Sequence, residues 1–372
     1  MSLSERWRST LDDLRSQGRY RSFRLPIGLD FTSNDYLGYG AANWDHREEF
    51  LGVSGIASRL LRGHHEIWDE VEALLAAWHG SETTLMMTSG YNANEGLIAT
   101  LAEPGDWVAV DELSHACIID GLRLARPRKY LFRHNDLNHL EDGLKAESAK
   151  RPPGREMFVV TESLFSMDGD TAPLPSLVEL CERHGAQVIV DEAHSTGCFG
   201  DSGSGCVDAA GLRGRVLASV HTGGKALGLA GAYVCGSRLL KEYLTNRCRH
   251  LIFTTALPPA IGAWWRKRIP QVQEDRAGRE RLHRNASRFR MSLLARGIDP
   301  PGLHFVVPVM VGSDKASVRA AESLQAAGFD VRAIRPPTVP AETCRLRISI
   351  HANHEPSVLD SLAAAVAEAV TP

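Results

Sequence analysis

An apolar run beginning at Val188 ends in Asp191-Glu192-Ala193-His194, and His221-Thr222-Gly223-Gly224-Lys225-Ala226-Leu227-Gly228 follows within the next forty residues or so. A carboxylate, an imidazole and a primary amine in that order support one recognisable chemistry. The acid can pair with a protonated ring nitrogen, the imidazole can bond a ring oxygen, and the amine can form a Schiff base with an aldehyde. These are the attachments that pyridoxal 5'-phosphate (PLP) requires. The glycines before Lys225 let its amine reach a flat ring without neighbouring side chains in the way.

Two other readings use the same residues. Asp-Glu-Ala-His also occurs in nucleotide-driven helicases, but with a Gly-x-x-x-x-Gly-Lys-[Ser/Thr] loop upstream. Here the Gly224-Lys225 pair lies downstream, is followed by Ala226, and has Ser219 at the first glycine position. Alternatively, Asp191 and His194 are a strand-end acid and a hydrogen-bonded core histidine. The rest of the chain has to choose between them.

The 372 residues are enough for about two domains. A hydrophobic content of 43%, a charged content of 23% and a formal charge of -3 describe an ordinary globular chain with no polyanion-binding footprint, which argues against nucleic acid. The N-terminal residues are polar and arginine-rich, without the apolar core of a signal peptide, and no run reaches the roughly 20 apolar residues that span a bilayer. Seven cysteines without a Cys-x-x-Cys pair read as reduced and mostly structural, which suits a cytoplasmic protein. No metal-ligand pattern stands out, and Asp168-Gly169-Asp170 lacks the remaining ligands of a calcium loop, so a turn is expected there.

The positioning elements follow from periodicity. Ser4 is expected to cap a first helix stopped by Gly18, and a second helix is expected over 66–78 with Ile67, Val71, Leu74 and Trp78 inward. Strands are expected at 84–87, 107–110, 129–132, 157–161, 187–190, 216–220 and 232–235, with helical patterns between most of them. Such alternation predicts an α/β fold with a mainly parallel sheet covered on both faces. After Pro258-Pro259 come two long polar helices and a smaller α+β section, giving an expected N-terminal segment 1–40, a large domain 41–260 and a small C-terminal domain 261–372.

Ligands of open α/β sheets sit at the carboxyl ends of strands. Five expected strand ends carry polar groups: Ser89-Gly90-Tyr91, Asp111 to His115, Ser163 to Asp170, Asp191 to His194, and His221 to Lys225. The junction at Ser89-Gly90-Tyr91 leads into a helix whose first N–H groups suit a phosphate. His115, just before a helix, reads either as a capping residue or as a ring that stacks on a bound cofactor.

With these motifs in order, the chain resembles the α-oxoamine synthase family of PLP enzymes. The resemblance rests on Ser33-Asn34-Asp35-Tyr36-Leu37-Gly38, Ser89 to Asn94, Leu113-Ser114-His115-Ala116, Thr161 to Asp170, Asp191 to Gly197, Gly224 to Gly228, and Phe253 to Pro259. Ile334-Arg335-Pro336-Pro337-Thr338-Val339-Pro340, followed by Arg345-Leu346-Arg347, is most similar to the branch that condenses L-alanine with a pimeloyl thioester, on CoA or acyl carrier protein, in biotin synthesis.

The resemblance implies a fold-type I transferase with a seven-stranded sheet and a homodimer with active sites at the interface. It implies Lys225 as the lysine joined to PLP, Asp191 on the pyridine nitrogen, His194 on the ring hydroxyl and His115 against the ring. Ser89, Gly90 and Tyr91 fall at the phosphate, with Ser166 and Thr222 as further hydroxyl contacts and Thr254 or Thr255 directed to the partner's phosphate. Asn34 and Arg347 match positions that hold the amino-acid carboxylate, while Thr338 and Arg21 match the acyl substrate. The residue two before the lysine, bulky in most of the family, is Gly223, which predicts looser packing beneath Lys225. A synthase with another acyl donor or amino acid, and a silent PLP-fold binding protein, are the competing functions.

Overall fold

The seven expected strands are all present, and they form one sheet. The computed structural model describes residues 3–18, 20, 27–40, 52 and 54–370. The chain divides into two compact units, one of Asn34–Ser166 and Thr171–Glu280, the other of Met1–Ser33, Met167–Asp170 and Arg281–Pro372.

In the first unit the strands are β1 (Thr83–Met87), β2 (Trp107–Asp111), β3 (Arg128–Phe132), β4 (Met157–Glu162), β5 (Gln187–Asp191), β6 (Ala218–Thr222) and β7 (Ala232–Gly236). Their spatial order is β1-β7-β6-β5-β4-β2-β3. Neighbours are parallel except around β7, which runs antiparallel to both β1 and β6. The central strands are apolar without alternation because both faces are covered: all of Met157 to Glu162 is buried. One face packs Val108, Val110, Val160 and Val220 against Leu97, Ile118 and Leu122. The other packs Ala109, Val159 and Val190 against Leu140, Leu144, Leu177 and Val178.

Three helices of this unit bear on the site: α1 (Glu66–His79), α2 (Gly90–Leu101) and α3 (Ala116–Ala125). Gly80, at φ +61°, closes α1 in the left-handed region, as a helix-ending glycine does. One expectation for α1 is corrected. Leu74 is 38% exposed and Leu75 is fully buried, so the inward stripe runs through Ile67, Val71, Leu75 and Trp78. The long helix α4 (Pro259–Glu274) also belongs here. Its buried residues include Trp265, Ile269 and Val272, and it packs on α1, with Gly262 against Ile67. The contact boundary therefore falls at Glu280 rather than near residue 260.

The second unit is built on a three-stranded antiparallel sheet in the order β9-β10-β8, from β8 (Val306–Gly312), β9 (Arg332–Ile334) and β10 (Cys344–Ser349). A parallel pair, Leu29–Asp30 with Phe329–Asp330, ties the N-terminal part of this unit to the rest of it. Met167–Asp170 makes the expected turn, with Gly169 at φ +67°, its carbonyl accepting from Leu303 N (3.1 Å), and Asp168 ion-paired to Arg345. No helix among the described residues is long and apolar enough to cross a membrane, and all seven cysteines are free.

Candidate active site

The strands of the first unit other than β7 present their carboxyl ends to one side, and there the polar groups meet. Gly90, Tyr91, Asn94, His115, Cys117, Glu162, Asp191, Ala193, His194, Thr222 and Lys225 line one cleft of about 510 Å³ that opens to solvent. Seven of these were expected from the sequence: Gly90, Tyr91, His115, Asp191, His194, Thr222 and Lys225. Five strand ends and the β6–β7 loop supply the whole set.

Asp191 closes β5 and is 5% exposed. Its Oδ2 accepts from Asn94 Nδ2 at 2.7 Å and its Oδ1 from Ala193 N at 2.8 Å. Asn94 stands on α2 one turn after Gly90 and Tyr91, on the same helix face; that i, i+3 or i+4 spacing is the signal that could have singled it out. Glu192, next in the chain, turns away from the cleft and accepts from Val207 N and Ser195 Oγ, both at 3.0 Å.

His194 contacts Tyr36, whose hydroxyl lies 2.8 Å from His194 Nδ1 and 2.9 Å from Asn34 Oδ1. Tyr36 has one proton. Donated to Asn34, it leaves the Tyr36 oxygen accepting from His194 Nδ1–H, the tautomer whose Nε2 carries the lone pair. Asn34 thus enters through Tyr36, a buried residue of the same motif.

His115 both caps and lines. Its Nδ1 accepts from Cys117 N, starting α3, and its own N–H donates to Glu162 Oε1 at 2.6 Å. Burial, then the Lys225 charge, pushes the imidazole pKa down, so it is neutral at pH 7. Glu162 moves the other way: burial and the Asp191 charge push its pKa up to about 8.

Lys225 is half-buried on the loop 223–231 between β6 and β7. The loop is pinned by Gly223 N to Gly231 O (2.8 Å), Leu229 N to Gly223 O (2.8 Å) and Gly228 N to Lys225 O (2.9 Å). The expected looseness beneath the lysine is corrected. The Trp265 indole, fully buried on α4, fills the space a side chain at 223 would take, and its Nε1 donates to Ala230 O at 2.9 Å. The bulk absent from position 223 is thus supplied from another element, 42 residues further on.

The remaining expected residues lie elsewhere. Ser89 caps α2, accepting from Asn92 N at 3.2 Å, one residue short of the cleft lining. Ser166 is half-buried and not among the lining residues, Thr255 is exposed, and Thr254 lines a separate small cavity with Arg59, Trp68 and His250. Arg347 and Thr338 belong to the second unit, where Arg347, 7% exposed on β10, donates from Nη1 to Ser349 Oγ at 2.9 Å, and Thr338 is exposed. Arg21 lies outside the described residues.

The donor set is specific in kind: a buried carboxylate held by two donors, two imidazoles, a hydroxyl, a primary amine and the N-terminal turn of a helix opening at Gly90. Those groups fit PLP, whose ring nitrogen, ring oxygen, aldehyde and phosphate have respectively one partner class each.

The class I and II aminotransferase family matches the chain over residues 26–366. The chain is 40% identical to the 8-amino-7-oxononanoate synthase of Chlorobaculum parvum, over 98% of both chains. Among solved structures it is similar to a serine palmitoyltransferase variant from S. paucimobilis with a bound PLP–myriocin aldimine, with a TM-score of 0.88 and 30% identity over 99% of this chain and 98% of that one. An 8-amino-7-oxononanoate synthase from Francisella tularensis matches with a TM-score of 0.78 and 26% identity, over 92% and 97%.

Proposed function

The chain belongs to the class I and II aminotransferases, in their α-oxoamine synthase branch, and on that premise we propose that it joins L-alanine to a pimeloyl thioester, releasing CO2 and the free thiol carrier and yielding 8-amino-7-oxononanoate. The observation that carries the reading is the convergence of Lys225, Asp191, His194 and His115 on one cleft. PLP, when bound, is the electron sink that lets alanine lose its α-proton and later its carboxylate.

The protein's residues have the following proposed roles. Asp191, held in place by Asn94 and Ala193, faces the ring nitrogen and pairs with its N–H. His194, oriented by Tyr36, takes the ring oxygen. His115, neutral and fixed through its backbone by Glu162, covers a ring face without adding positive charge beside Lys225. The Lys225 amine accepts the Cα proton of alanine and returns a proton to the product. Gly90 and Tyr91 hold the phosphate with the start of α2, helped by Ser89, Ser166 and Thr222, and Thr254 or Thr255 serve the second subunit of a homodimer. Asn34 and Arg347 take the alanine carboxylate, a task suited to a guanidinium fork, while Thr338 and Arg21 meet the acyl chain.

The second reading keeps the chemistry and changes the acyl donor or amino acid. The high structural similarity to serine palmitoyltransferase favours it, whereas the higher identity to the Chlorobaculum parvum protein favours the pimeloyl donor. Incubating PLP-loaded protein with L-alanine and equal amounts of pimeloyl-, acetyl- and succinyl-CoA separates them by product mass. A dominant 8-amino-7-oxononanoate peak is expected. A different aminoketone overturns the donor, and no product with either CoA or acyl-carrier-protein donors overturns the reaction.

A further inference from the structure

Away from the Lys225 cleft, on the other side of β6, His79, His221 and Cys235 form a buried cluster whose ligand atoms all lie within 4.8 Å of one another. They come from three elements: His79 ends α1, His221 is in β6 and Cys235 is in β7. None of them lines the Lys225 cleft, and the proposed reaction uses none of them. We propose that His79, His221 and Cys235 are a zinc site with one thiolate and two imidazoles.

Three observations carry this beyond proximity. The first is the donor chemistry: two neutral imidazole nitrogens and a sulfur, without a carboxylate, suit Zn²⁺ and not a hard cation such as Mg²⁺ or Ca²⁺. The second is the orientation of the rings. Thr196 Oγ1 donates to Glu192 O at 2.7 Å, so at 2.8 Å from His221 Nδ1 it can only accept, which fixes the proton on Nδ1 and the lone pair on Nε2. His79 similarly bonds the Ser204 backbone, and its Nε2 lies 2.8 Å from the Tyr233 hydroxyl. An imidazole that gives one N–H to a protein oxygen and offers the other nitrogen is the arrangement that metal-ligating histidines adopt.

The third observation is access. His79, Ser219 and Cys235 line a solvent-open cavity of about 940 Å³, separate from the Lys225 cleft, so an ion has a route in and water can supply the fourth ligand. On binding, the Ser219 hydroxyl, now 2.8 Å from His221 Nε2, and the Tyr233 hydroxyl, now 2.8 Å from His79 Nε2, yield their places to the metal, and Cys235 loses its thiol proton to solvent. One proton leaves per ion bound. The ion would tie α1, β6 and β7 together two residues before the Lys225 loop begins. This inference stands apart from the reaction proposed above.

The test uses PLP-loaded protein, freed of metal by a chelator and titrated with Co²⁺ and then Zn²⁺. One equivalent of Co²⁺ is expected to give the strong visible bands of a four-coordinate site, and Zn²⁺ to bleach them, with about one proton released per ion. X-ray absorption of the zinc form is expected to show one sulfur and at least two nitrogen neighbours. Cys235→Ser is expected to remove the sulfur, Thr196→Val to weaken binding about 10- to 100-fold by freeing the His221 ring, and Cys181→Ser, another buried cysteine, to change nothing. Failure of the unaltered protein to bind stoichiometrically, a zinc shell without sulfur, or equal affinity in Cys235→Ser overturns the site. The absorption spectrum of the unaltered protein decides alone if the variants do not fold.

Discussion

The Trp265 indole stands where a side chain on Gly223 would project: a Cβ at position 223 would lie 2.9 Å from Trp265 Cη2 and 2.7 Å from the Leu229 carbonyl. Position 223 is therefore closed to anything larger than glycine, both by the indole and by the Leu229 carbonyl of its own loop. Gly223→Ala is expected to cost about 1–3 kcal/mol, as overpacking does. Because the two groups share one space, Gly223→Leu combined with Trp265→Ala is expected to cost less than the sum of the single changes, by about 0.5–3 kcal/mol. Urea unfolding of the four proteins measures the coupling, and simple additivity would contradict the shared space.

Asp191→Asn tests the carboxylate. An amide at 191 cannot accept from both Asn94 Nδ2 and Ala193 N, so one buried donor loses its partner, at about 1–3 kcal/mol. The variant is expected to bind PLP yet slow deuterium exchange at the alanine Cα by about 100- to 1,000-fold, the loss typical of one preorganised electrostatic partner. Proton NMR of alanine in heavy water reads the rate. Unchanged exchange would remove Asp191 from that role.

Glu162 makes stability depend on pH. Its folded pKa, pushed up to about 8, lies above the unfolded value of 4.5. A raised folded pKa means the contribution is fully present below the unfolded pKa and lost as pH rises through the folded one. The cofactor-free protein is thus expected to melt at progressively lower temperature as pH increases toward about 8. Glu162→Gln keeps an acceptor for His115 N and removes the titration, so its decline should be shallower; Glu192, pushed up to about 7, leaves part of the slope in place. Parallel melting curves for the two proteins across this range would refute the assignment.

Arg347→Lys separates charge from fork. If Arg347 holds the alanine carboxylate by two N–H groups, a lysine keeps the charge but forfeits one charged hydrogen bond, about 1.5–3 kcal/mol. KM for alanine is expected to rise about 10- to 100-fold with a smaller change in kcat. Steady-state kinetics in alanine at saturating acyl donor are decisive: an unaltered KM would place the carboxylate elsewhere.

Most of the sheet and the polar strand ends were legible because they depend on local sequence. The apolar run Met157–Val160 needs both faces covered, and the acid at Asp191 ends a strand wherever that strand lies. What was not legible depends on distant partners. That Gly223 is packed rather than loose depends on Trp265, whose helix falls beyond the expected domain boundary. The direction of β7 is not written in Ala232 to Cys235, which read as a strand in either sense. Leu74 and Leu75 are equally apolar, and only the packing of α1 decides which faces in. Glu162 ends a strand within a recognised motif, but its raised pKa comes from burial and from Asp191 beside it, and both belong to the folded sheet.

The antiparallel strand β7 divides the site by folding history. Lys225 sits on a connection between two strands that are neighbours in both sequence and sheet, so its loop closes with little loss of chain entropy. Asp191 and Asn94 are 97 residues apart and meet only after the crossovers between them have packed. A fragment or partly opened chain can keep the lysine loop and still lack the braced carboxylate. Full engagement of the Asp191 side of the cleft is therefore a report on the whole sheet, and recovery of catalytic competence during refolding should track the slowest long-range pairing, not the closing of the loop that carries the lysine.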